Sequence, residues 1–106
     1  MGIAYETDKI LPPLHPGEVL REEFLIPLGL SAGVVARACG VPRTRIERVA
    51  AEGIGITTDT ALRLGRYFGT TPQFWLNLQQ SFEMDTLARE IGPEIDRIQP
   101  LRRAAA

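Results

Sequence analysis

The sequence predicts an all-α domain of five helices, and three observations predict it. Apolar residues recur at three- and four-residue spacing along most of the chain. A serine, threonine or proline stands ahead of each such stretch, and glycine follows most of them. No run alternates apolar and polar residues as a half-buried strand does. With 106 residues, 44% of them hydrophobic, there is room for one domain and one core. A chain of this size buries roughly two-thirds of its unfolded surface, enough for a core without staples. The single cysteine excludes an internal disulfide.

Taken in order, residues 1–14 show no sustained period, contain Pro12-Pro13, and read as a mostly extended arm. The first helix opens at His15-Pro16-Gly17-Glu18. Pro16 suits a first helical position, where a missing N–H is harmless, and Glu18 is placed to reach back to the first turn. Val19, Leu20, Phe24 and Leu25 form its apolar side, and Pro27 and Gly29 end it. Ser31 caps a second helix with Val34, Val35, Ala38 and Cys39 on one side and Gly40 at its end. Pro42 opens a third, with Ile46, Val49 and Ala50 inward, closed by a tight loop at Gly53 and Gly55. Thr57 or Thr58 caps a fourth, with Ala61, Leu62, Leu64 and Phe68 inward, and Gly69 stops it. Thr71-Pro72 opens a fifth, which runs through Phe74, Trp75, Leu78, Phe82 and Leu87 to about Glu90, before Gly92-Pro93. Residues 15–91 are then the folded domain, and residues 92–106 a C-terminal extension, either a short helix or frayed.

Residues 31–51 carry the functional signal. A helix-turn-helix needs two short helices crossing steeply through a very short turn. Ala36 supplies the small residue at the crossing, and Gly40 the turn residue that tolerates a positive φ. Val35, Cys39, Val41, Ile46 and Val49 stand at the offsets that anchor the second helix of the pair. Arg43, Thr44, Glu47 and Arg48 are left on its exposed face, with Arg45 to one side. The N-terminal part of such a helix enters the major groove, so Arg43 and Thr44 are the base-edge candidates. Arg45, Arg48 and Arg37 are candidates for phosphate, and Glu47 either accepts from a cytosine amino group or pairs with Arg43 one turn back. The net charge of −1 is unhelpful to DNA binding, but residues 31–52 hold four arginines against two glutamates. Eleven of the twelve basic residues are arginine, the side chain suited to bidentate contact with phosphate or guanine.

Other chemistry finds no constellation. His15 is the one histidine and stands at no metal-ligand spacing, so a capping or surface role is expected and no metal. Cys39 falls on a core slot, and Ser31 has no base beside it. The glycines at 53 and 55 are not followed by the Lys-Ser/Thr of a phosphate loop. Neither a cofactor nor an enzymatic activity is expected. The opening MGIAYETDKILPP lacks the basic and apolar regions of a secretion signal, and no stretch approaches 18 apolar residues, so a soluble cytoplasmic protein without membrane contact is expected.

Four stretches together resemble the HigA family of antitoxins. They are His15-Pro-Gly-Glu-Val-Leu-Arg-Glu-Glu-Phe24, Gly40-Val-Pro-Arg-Thr-Arg-Ile46, Gly55-Ile-Thr-Thr-Asp-Thr-Ala-Leu-Arg-Leu64 and Tyr67-Phe-Gly-Thr-Thr-Pro-Gln-Phe-Trp-Leu-Asn-Leu78. The similarity spans about residues 12–91, and that family sits within the Xre/Cro-like (lambda-repressor-like) helix-turn-helix group. The resemblance implies a homodimer that represses its own operon at a palindromic operator. It also implies a toxin partner, a HigB-like mRNA endonuclease of the RelE-like class. Dimerisation through the C-terminal helices, which the resemblance implies, would leave Trp75, Leu78 and Phe82 partly exposed. In such a dimer the two third helices lie about 34 Å apart, one turn of DNA.

Two positions depart from the family pattern. Position 32 is Ala, with Gly33 after it, where relatives carry a DNA-contacting Gln. The loop Ala51-Glu52-Gly53-Ile54-Gly55 has an acid and no base where relatives have Lys-Arg. Two readings therefore stand: an antitoxin that also represses transcription, or a protein–protein module, antitoxin or orphan, whose DNA binding has weakened. Ala32 and Glu52 favour the second, and Arg43-Thr44-Arg45 the first.

Overall fold

The computed structural model describes residues 12–102. Five helices follow one another, with no strand among the described residues. Helix α1 has three successive parts, Pro16–Val19, a wider π-helical stretch Leu20–Leu25, and Ile26–Leu28. Helices α2 (Ala32–Cys39), α3 (Arg43–Ala50), α4 (Thr58–Phe68) and α5 (Pro72–Asp96) complete the chain. All but the last three residues of the expected 1–14 arm, and residues 103–106 of the tail, lie outside the described residues.

Side-chain caps set the helix starts. Ser31 Oγ accepts the Val34 N–H, Thr57 Oγ1 the Thr60 N–H and Thr71 Oγ1 the Phe74 N–H. For α1 the cap is His15, whose Nδ1 accepts the Gly17 N–H at 2.8 Å. Gly29, Gly40 and Gly69, in the left-handed conformation, close α1, α2 and α4. At the end of α3 that conformation falls instead on Glu52 (φ 64°) and not on Gly53 or Gly55.

Two prolines do not act as expected. Helix α1 passes Pro27 because the Ile26 N–H reaches back five residues to the Arg21 carbonyl. That wider turn gives the ring room where an α-helix would clash. Helix α5 runs through Gly92 and Pro93 to Asp96, past the expected end near Glu90. Pro93 withholds one backbone donor, and in so exposed a stretch water can serve the carbonyl left over.

The core comprises Leu20, Leu25, Val35, Ala36, Cys39, Ile46, Val49, Ile56, Ala61, Leu64 and Trp75. Three inward assignments are corrected. Val34 and Leu62 are 42% and 55% exposed, and Ala38 faces solvent, because α2 and α4 each bury a narrower stripe than their composition suggests. Trp75, expected to be partly exposed, is completely buried. Its ring lies 5.1 Å from Phe24 and 6.3 Å from Phe68, and its Nε1–H donates to Thr70 Oγ1 at 2.8 Å. Phe82 is half-buried, edge-on to His15 at 4.7 Å, and Leu78 is half-buried against the core.

His15 thus joins the start of α1 to α5. Burial pushes its imidazole below its ordinary value near 6.5, outweighing the opposite pull of the Glu52 carboxylate. The unfolded chain therefore binds more protons in this range than the folded one, so stability rises with pH. We expect the melting midpoint to fall as pH drops from above 7 through the unfolded imidazole's range. His15→Asn, which keeps a cap acceptor but does not titrate, should flatten that slope. An unchanged slope in the variant would place the titration elsewhere.

Candidate nucleic-acid interface

Helices α2 and α3 form the helix-turn-helix. The turn is tight because Gly40 (φ 71°) lets Val41 N–H return to the Ala36 carbonyl at 3.0 Å. Val35, Ala36, Ile46 and Val49 are at most 2% exposed, Cys39 is buried and Val41 half-buried, so every expected anchor is in place. Burial also raises the Cys39 thiol above its usual range, more than the nearby Arg63 lowers it. This suits a core residue rather than a nucleophile.

The C-terminal half of α3 is held from behind by α1. Gly17 lies against the Val49 carbonyl, where a Cβ would stand 1.8 Å from the oxygen, far inside van der Waals contact. Arg21 donates from Nη1 to the Ala50 carbonyl at 2.5 Å and from Nη2 to Glu52 at 3.2 Å. Glu22 binds its Nε at 2.9 Å, and the two carboxylates, Glu22 first, raise the guanidinium's pKa. Arg21 therefore serves an end carbonyl of α3 that has no partner within the helix. The same pair anchors Glu52 in its left-handed turn. Gln79 reaches from α5 to the following loop, its Oε1 accepting the Ile56 N–H at 2.7 Å.

The face turned away from α1 carries the expected residues. Arg43, Thr44, Glu47 and Arg48 are all exposed on α3, and Arg37 on α2. Arg43 Nε meets Glu47 Oε2 at 3.2 Å, which is the pairing alternative for Glu47. Arg45 is half-buried and turned to α4, where its Nη1 lies 2.6 Å from Asp59. Arg63 Nε shares that carboxylate at 2.7 Å while its Nη1 donates to the Cys39 carbonyl, closing the end of α2. Arg63, then Arg45, hold Asp59 below the usual carboxylate range. Arg48 and Arg37 form no ion pair among the described residues. Gly33 is the second residue of α2, and it faces the aliphatic stem of Arg43.

Arg21, Glu52, Asp59, Arg63 and Gln79 gave no sequence signal as supports. Apart from the Asp59–Arg63 pair one turn apart on α4, each acts across 14 residues or more, or through a backbone carbonyl, which helical periodicity does not encode. No group of three or more His, Cys, Asp or Glu side chains arranged to hold a metal occurs among the described residues. No helix among them is long and apolar enough to cross a membrane.

No protein-family model matches the chain. Individual relatives do. Virulence-associated protein I of Dichelobacter nodosus is 48% identical over 91 residues, spanning 86% of this chain and 83% of that protein. Antitoxin HigA-1 of Vibrio cholerae is 33% identical over 89 residues, 84% of each chain. Among solved structures, Pseudomonas aeruginosa antitoxin HigA with the higBA promoter superposes with a TM-score of 0.81 at 43% identity. It covers 85% of this chain and 99% of that one.

Arg21→Met keeps the stem's packing but removes both contacts with the end of α3. It should lower unfolding free energy by about 1–2 kcal/mol through an unserved, part-buried carbonyl. The urea midpoint should fall at constant m-value; an unchanged midpoint would mean that water replaces the arginine without loss.

Proposed function

The chain belongs to the HigA family of helix-turn-helix antitoxins, and we propose that it represses its own operon as a dimer on a palindromic operator and neutralises a HigB-like toxin. The observation that carries the DNA-binding part is the outward face of α3. Arg43, Thr44, Glu47 and Arg48 project from a helix whose opposite side and C-terminal end are locked by α1. Arg43 and Thr44 read base edges at the N-terminal end of that helix. Arg48 and Arg37 neutralise phosphates, and Arg45 reaches the backbone only by sharing its guanidinium with Asp59. The homologous antitoxin solved with its promoter supports DNA binding by this chain. The alternative, a module that has lost DNA binding, rests on Ala32 alone, since the Glu52 carboxylate is engaged by Arg21.

Dimerisation is assigned to the second half of α5. Met84, Leu87 and Ile95 are 68%, 49% and 49% exposed. With Ala88 and the half-buried Ile91 they line one groove at spacings of three and four residues. An apolar stripe this long on a projecting helix is stabilised by a second copy covering it. This replaces Trp75 as a dimer contact, because that side chain is spent in the core.

Fluorescence anisotropy against duplex DNA from immediately upstream of the gene, beside a scrambled duplex and across a salt series, tests the reading. Arg43→Ala should erode the preference between the two duplexes. Arg48→Ala should weaken both alike and lower the salt slope by about one unit. Equal losses on both duplexes for Arg43→Ala would remove its base-reading role. For the dimer, Leu87→Lys should sediment as a monomer and lose most operator affinity while keeping its helicity. A variant that stays dimeric would move the interface away from this groove.

A further inference from the structure

We propose that Gly33 and Glu47 are positioning residues for Arg43, seating its guanidinium for end-on contact with a guanine before DNA arrives. The inference rests on the DNA-binding reading above and assigns the base pair read at this position to the G·C class. Arg43 is the first residue of α3, and its side chain is 70% exposed, yet it is restrained on two sides. On one side lies the first turn of α2. A Cβ at Gly33 would stand 3.3 Å from Arg43 Cδ and 3.8 Å from Cγ, a contact tight enough to shift the stem by a few tenths of an ångström from the seat that glycine leaves it. On the other side Glu47 holds Nε at 3.2 Å.

The choice of nitrogen matters. End-on recognition of guanine uses the two terminal nitrogens, one on O6 and one on N7. Nε is the nitrogen left over, so a carboxylate placed beside it draws the guanidinium toward Glu47 without occupying its reading edge. An exposed ion pair alone restrains a long side chain weakly. The glycine seat adds the second restraint, and closing the groove removes water from both. Arginine brings large rotamer freedom to any interface, and holding it in one arrangement beforehand reduces what binding must freeze.

The test uses the full chain and its variants with the upstream duplex, the scrambled duplex, and upstream duplexes in which each G·C pair is changed in turn to A·T. A wild-type protein with no preference for the upstream duplex would overturn the DNA-binding reading itself, and this inference with it. Where that preference holds, Arg43→Ala identifies the pair it reads. Wild type should discriminate at that pair by about tenfold or more. Gly33→Ala and Glu47→Gln should each reduce this to about threefold or less, although neither change removes the arginine. Gly33→Ala should melt at or above the wild-type temperature, which separates lost positioning from lost folding. Glu47→Gln should have no effect at that pair in an Arg43→Ala background. Full discrimination in either single variant overturns the proposal. So does an equal effect of Glu47→Gln with and without Arg43, which would make Glu47 a reader in its own right.

Discussion

The structure depends on the close approach of α1 to the backbone of α3. Gly17 lies on the Val49 carbonyl, and Arg21 closes the Ala50 carbonyl one residue on. Both contacts are to main-chain oxygens, so they fix the helix axis whatever side chains it displays. A recognition helix anchored in this way can vary its outer face without losing its place. The left-handed Glu52 belongs to the same arrangement. A side chain at φ 64° is held there at a cost of about 1–2 kcal/mol, and the ion pair to Arg21 offsets part of it.

Helix α5 is two elements in one. Its first half is a pillar of the core, with Trp75 buried among Phe24, Phe68 and Phe74, Gln79 holding the loop after α3, and Phe82 against His15. Its second half leaves the core, and a helix of 25 residues, about 37 Å long, accounts for much of the 56 Å extent of the described chain. The recognition helix and the proposed dimer helix are thus connected through rigid parts: α3 to its loop, the loop to Gln79, and Gln79 along α5. Two copies joined by α5 would hold their α3 helices at a spacing set by this frame, which half-site recognition requires.

Much of this was legible in the sequence because it is local. Caps at Ser31, Thr57 and Thr71, stops at Gly29, Gly40 and Gly69, and the anchors from Val35 to Val49 are written within a turn or two of where they act. The prolines misled for a physical reason. Pro27 follows a widened turn and Pro93 lies on an exposed stretch, and neither circumstance shows in composition. Leu62 and Val34 misled because apolar character marks a residue as able to be buried, while the width of the buried stripe is set by the neighbouring helix. The candidate residues on α3 were legible as an exposed face. The capture of Arg45 by Asp59 was not, because it joins residues 14 apart on different helices.

The charge pattern shows how a protein of net charge −1 can serve a polyanion. On the helix-turn-helix and its supports, Arg43 is paired with Glu47, Arg45 and Arg63 share Asp59, and Arg21 is paired with Glu52. Arg37 and Arg48 alone on α2 and α3 have no carboxylate partner among the described residues. Non-specific affinity for DNA scales with the cations available to displace counterions, so this surface is poor at holding arbitrary sequence. On the proposed reading, the paired arginine at the tip of α3 contributes chiefly where a guanine meets its two terminal nitrogens. Acidic partners in a DNA-binding face thus lower affinity for every sequence while affecting the matching one least, and what counts among competing genomic sites is that ratio. Glu52, which argued against DNA binding when read as an isolated charge, is paired with Arg21, and Glu47 takes the pairing with Arg43 that its one-turn spacing allowed.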